Sequence, residues 1–110
     1  MNIIDFKTTF VHHADMDVNE TLRLLQSYGH KFWSWGAHAF TRIGKKALRM
    51  TVQGHHHNGH VYVCVNGNDL YDVYLCSNRG NIKQVINGIY VDDLFDVMDA
   101  KIERIAAYKY

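Results

Sequence analysis

The chain is predicted to be an α+β domain: a four-stranded antiparallel meander sheet with one N-terminal and one C-terminal helix packed on its apolar face. Three observations predict it. Between Leu48 and Leu75, apolar and polar residues alternate with the period of two that sends successive side chains to opposite faces of a strand. Asn58-Gly59 and Asn66-Gly67-Asn68-Asp69 interrupt that alternation with residues that favour turns. On either side the apolar spacing becomes helical, at Val18, Leu22 and Leu25 and again at Leu94, Phe95, Met98, Ile102 and Ile105. A length of 110 residues fits one domain spanning 1–110.

Taken in order, residues 1–16 carry no clear period. Ile3, Ile4, Phe6, Phe10 and Val11 are candidates for an edge strand or packed arm, and His12-His13-Ala14-Asp15 for a loop. Asp17-Val18-Asn19-Glu20 fits a capping box, in which the carboxylate accepts from a free backbone N–H of the first turn, so the first helix starts there. Gly29 is its natural stop. The stretch His30–Gly44 holds Phe32, Trp33, Trp35 and Phe40. It is expected to be a short extended piece, a turn at Gly36 and a brief helical turn over Ala37–Thr41. The strands are expected over about Ala47–His57, His60–Val65, Leu70–Cys76 and Ile82–Ile86. The first two would be joined by a two-residue type I′ turn at Asn58-Gly59. The last helix starts at Asp92 or Asp93, with acids early and Lys101, Arg104 and Lys109 late, as the helix dipole favours.

With Asn58-Gly59 as the turn, His57 faces His60 and His55 faces Tyr62. Leu48, Met50, Val52, Val61, Val63 and Val65 then share one face. The other holds His55, His57, His60, Tyr62 and Cys64, and Cys76 of the third strand falls opposite His60. Imidazole nitrogens and a thiolate suit zinc, so His55, His57, His60 and Cys76 form a candidate metal set. The simpler expectation is that these are polar side chains on the wet side of a half-buried sheet, with no cofactor bound.

Two further groups stand out. Arg42, Lys45, Lys46 and Arg49 lie near Trp33, Trp35 and Phe40 in sequence, a combination that serves single-stranded nucleic acid when cations neutralise phosphate and bases stack on rings. The plainer reading is a solvated loop beside core aromatics. Asp92, Asp93, Asp96 and Asp99 are expected to be dipole and solubility acids. Ser34 is not in a nucleophile elbow, and no phosphate loop or dinucleotide fingerprint appears. Nothing supports a catalytic triad, so the chain is expected not to be an enzyme.

Twelve basic and eleven acidic residues predict no strong field toward nucleic acid or anionic membrane. No apolar run is long enough for a membrane span, and the start lacks the pattern of a signal peptide, so a cytosolic location is expected. Cys64 and Cys76 are expected to be reduced, buried thiols.

Phe32-Trp33-Ser34-Trp35-Gly36-Ala37, Leu48-Arg49-Met50-Thr51-Val52-Gln53-Gly54, Val61-Tyr62-Val63, Asn66-Gly67-Asn68-Asp69-Leu70-Tyr71-Asp72-Val73 and Ile89-Tyr90-Val91-Asp92-Asp93-Leu94 together resemble a family of short uncharacterised proteins carried by bacteriophages and other mobile elements. The likeness spans roughly residues 20–105 and carries no catalytic signature. It implies a small accessory protein that acts by binding a host or defence protein, for instance as an inhibitor. Trp33, Trp35 and Phe40 are then the expected partner-binding residues, since aromatic anchors are typical of interface hot spots.

Overall fold

Among the described residues five strands, not four, form the sheet, and three helices, not two, accompany it. The computed structural model describes residues 3–4, 9–10 and 13–103. The element order is α1 (Val18–Gln26), α2 (His30–Trp33), β1 (His38–Ile43), β2 (Ala47–Gln53), β3 (Asn58–Val65), β4 (Tyr71–Cys76), β5 (Ile82–Ile89) and α3 (Val91–Ile102). The strands lie in sequence order and every neighbouring pair is antiparallel, so the class is α+β with a meander sheet, as expected.

Helix α1 begins where the capping residue places it: the Asp17 carboxylate accepts from the Glu20 backbone N–H at 3.0 Å. An Asp cap of this kind contributes about 1 kcal/mol. The helix ends at Gln26, before Gly29, which instead takes a positive φ and starts α2. The two short elements after it are the reverse of expectation. Phe32 lies in a helical turn, and the segment expected to be helical is the edge strand β1. The register of β1 against β2 slips between His38 and Thr41, and Ala39 sits at φ 54°. This bulge disrupts the alternation that would mark the segment as a strand, and it blunts the exposed edge of the sheet.

The β2–β3 hairpin differs as well. Strand β2 stops at Gln53, and Asn58 and Gly59 are not the turn; they pair with Gln53 and Val52. Thr51, six residues before His57, stands opposite His60. The sorting of apolar residues survives, because a shift by an even number of residues leaves every side chain on its original face. The third strand falls as expected, with Cys76 opposite His60 and Val73 opposite Val63.

Val18 and Leu25 of α1, and Leu94, Phe95, Met98 and Ile102 of α3, pack with Leu48, Met50, Val52, Val61, Val63, Val73 and Leu75 into the main core. Aromatic rings extend it: Tyr28 stacks on Phe95 at 4.0 Å, Phe95 on Trp35 at 4.9 Å, and Trp35 meets Phe32 at 5.2 Å. The Trp35 Nε1–H donates to Asp99 Oδ1 at 2.8 Å in the interior. Asp99, expected as a surface acid, is therefore a buried core partner, because an indole N–H removed from water needs an acceptor.

The opposite face of the sheet is not wet. Phe10, Ala47, Tyr62, Cys64 and Cys76 form a second buried cluster, with Ile4, Ile43, Tyr74 and Ile82 at its margin. The N-terminal arm supplies the cover. Phe10 stacks on Tyr62 at 5.5 Å and meets Tyr74 edge-on at 5.4 Å. His13 Nε2 hydrogen-bonds Asp72 Oδ2 at 3.0 Å, and Asp72 Oδ1 accepts from Gly88 N. Of the residues expected to form the arm, Phe6 and Val11 lie outside the described residues, as do Arg104, Ile105 and Lys109 of the last helix.

Candidate functional site

The three aromatic residues expected to bind a partner have three different fates. Trp35 is fully buried, so it is a core residue and not a surface anchor. Phe40 is half-buried and stacks on Phe32 at 6.1 Å. Only Trp33 is open, with 52% of its surface in solvent. Helix α2 is the cause: consecutive residues of a helix point about 100° apart, so burying Phe32 turns Trp33 outward. Tyr28, 41% exposed, ends the preceding turn. The surface that remains is an α1–α2 corner carrying Tyr28 and Trp33.

The basic set is dispersed. Arg49 pairs with Thr41 and Arg42 with Leu48, so the two arginines project from opposite faces of the sheet. Lys46 is held by Asp15 at 3.0 Å and donates to the His13 carbonyl at 2.8 Å. Lys45 is exposed in the β1–β2 turn. These four do not form one stripe along a strand of nucleic acid.

Of the proposed metal ligands, His57, His60 and Cys76 stay neighbours, whereas His55 is drawn away. His55 leaves for the end of α3, where its backbone N–H and Nδ1 engage the two Glu103 carboxylate oxygens at 2.8 and 2.9 Å. His57 is buried and its Nε2 donates to the His60 carbonyl at 3.2 Å. His60 Nδ1 hydrogen-bonds Thr51 Oγ1 at 3.1 Å. Burial pushes the Cys76 thiol up to about 11, away from the thiolate that binds metal. Cys64 is also pushed up, by burial and then by the nearby Asp72 charge. Among the described residues no three His, Cys, Asp or Glu side chains converge as ligands.

Burial holds the His57 imidazole below its ordinary 6.5, and His60 is lowered by burial and then by the Arg49 charge. A base with a depressed folded pKa binds fewer protons folded than unfolded. Its stabilising effect is therefore complete above pH 6.5 and is lost as the pH falls below that value. The melting temperature should drop between roughly pH 7.5 and pH 5.5, the range in which histidine titrates, and His57→Gln should flatten the drop. A wild-type melting temperature that does not change across that interval would contradict this assignment.

Two concave regions are notable among the described residues, and the second includes Arg49 and His60. One, of about 330 Å³, lies between α1, β4 and the start of α3 and is lined by Met16, Asp17, Glu20, Leu24, Tyr71 and Val91. The other, of about 230 Å³, lies on the arm-covered face and includes Arg49, His60, Tyr62, Asn78 and Arg79. Asn78 and Arg79 carry only a turn signal in the sequence. Nothing local announces that this turn folds over β2 and β3.

The sequence matches no protein-family model, no curated protein and no solved structure in the three comparisons made. No helix among the described residues is long and apolar enough to cross a membrane.

Proposed function

We propose that the chain is a small non-enzymatic accessory protein of the mobile-element type, which works by binding a host or defence protein and inhibiting it. Trp33 carries this reading. Its neighbours in the aromatic segment, Phe32 and Trp35, are fully buried, while Trp33 keeps half its surface in water. Leaving a large apolar ring in water forgoes about 1.5–3 kcal/mol of burial, and a binding partner would recover it. Tyr28 adds a second ring on the same corner, and Trp and Tyr are the residues most often found to dominate interface energetics.

The test places a photo-crosslinking residue at exposed His30, one helical turn from Trp33 in α2, and, as a control, at Lys83 on the exposed part of β5. Both proteins are offered to a host lysate. One protein is expected to crosslink at position 30 and not at 83, and excess unlabelled wild-type chain should compete it away. Trp33→Ala should then weaken its binding by about thirtyfold or more, the loss typical of a hot-spot anchor. Crosslinking that is equal at both positions, or that Trp33→Ala leaves untouched, would refute the reading.

A further inference from the structure

The smaller cleft is assembled from three separate parts of the chain. Arg49 pairs with Tyr62 and Thr51 with His60, so β2 and β3 set Arg49, Tyr62 and His60 side by side on the arm-covered face. The β4–β5 turn brings Asn78 and Arg79 to the same space. Ser77 Oγ fixes that turn by accepting from the backbone N–H groups of Arg79 at 3.3 Å and Asn81 at 3.1 Å. The arm closes a third side, with Ile4 N donating to the Gly80 carbonyl at 2.8 Å and Ile3 bridged to Asn81.

The chemistry of this space is one-sided. Two guanidinium groups and an imidazole line it, and among the described residues none of its lining is acidic. The whole chain has a formal charge of only +1, so the positive character is local. Arg49 also hydrogen-bonds Tyr62 and donates from Nη2 to Thr41 Oγ1 at 3.3 Å, which orients its planar fork. A guanidinium fixed in this way keeps N–H groups that make charge-assisted bonds to phosphate oxygens. The volume of about 230 Å³ is roughly that of eight waters. That accommodates a phosphate and the first atoms attached to it, and Tyr62 is too deeply buried to act as a stacking platform for a base.

We propose that this cleft binds a phosphate group, held between Arg49 and Arg79 with Asn78 beside them. The phosphate is either the free ion or the terminal group of a nucleotide. The cleft is on the face of the sheet opposite the three helices, so this site is separate from the Trp33 corner.

The test titrates the 110-residue chain with inorganic phosphate, with a nucleoside monophosphate, and with chloride at matched ionic strength, following backbone amide shifts. Saturable shifts are expected at His60, Asn78, Arg79 and Gly80 with both phosphates and not with chloride. Arg79→Ala, on an exposed turn, should weaken binding about tenfold, the loss expected for a charge-assisted contact. Arg49→Lys should weaken it similarly by keeping the charge and losing the fork. Tighter binding of the nucleotide would identify it as the source of the phosphate, and equal binding would identify the free ion. Shifts that are absent at millimolar phosphate, that chloride reproduces, or that Arg79→Ala leaves unchanged would overturn the proposal. Should Arg49→Lys fail to fold, the Arg79 variant alone decides.

Discussion

Gly54→Ala is expected to destabilise the fold by about 3 kcal/mol, at the upper end of the usual cost of overpacking. A methyl group at this position would lie 2.6 Å from Ile102 Cγ2 and closer still to the Ile102 carbonyl oxygen. That carbonyl has little room to retreat, because it accepts from His56 N at 2.8 Å. Next to it, Glu103 is held by both the backbone and the imidazole of His55. Relief would therefore detach the β2–β3 loop from the end of α3 and break three hydrogen bonds together. For a domain of this size the melting temperature should fall by roughly 12 to 24 °C. Gly67→Ala is the control: nothing lies within 4 Å of the added carbon, and stability should change by less than about 0.5 kcal/mol. Equal melting temperatures for the two variants would show that the loop does not dock on α3 in this way.

The second large effect separates two tryptophans only two positions apart. Trp35→Ala should cost about 3–5 kcal/mol, since it empties a site between Phe32 and Phe95 and removes the indole bond to Asp99. Trp33→Ala should cost less than about 1 kcal/mol, because its ring is half in solvent and meets Phe32 edge-on. Urea unfolding of both variants reads the difference directly. Trp33→Ala, folded but unable to hold the partner, then serves as the clean reagent for the proposed function. A Trp33→Ala chain as unstable as Trp35→Ala would remove the argument that Trp33 is kept outside for binding.

Position 33 could not be told from position 35 by composition, since both belong to one aromatic run. The distinction follows from α2, a single helical turn too short to show a period. The bulge in β1 hid that strand for a related reason. The basic cleft was hidden more completely. In the sequence Arg49 stands with Arg42, Lys45 and Lys46, whereas its partner in the cleft is Arg79, thirty residues further on.

Local chemistry alone dictated the start of α1 at its Asp17 cap, the turn at Asn66–Asp69, the amphipathic course of α3 and the division of β2, β3 and β4 into an apolar face and a second face. Each of these depends on residues within a few positions of one another. Alternation cannot choose between registers that differ by an even number of residues, so the pairing of Thr51 with His60, and the dispersal of His55 from His57 and His60 that comes with it, needed the three-dimensional fold. The covering of the second face needed it too, because the contacts that hold the arm there, such as His13 with Asp72, join residues 59 positions apart, and nothing in the intervening sequence signals them.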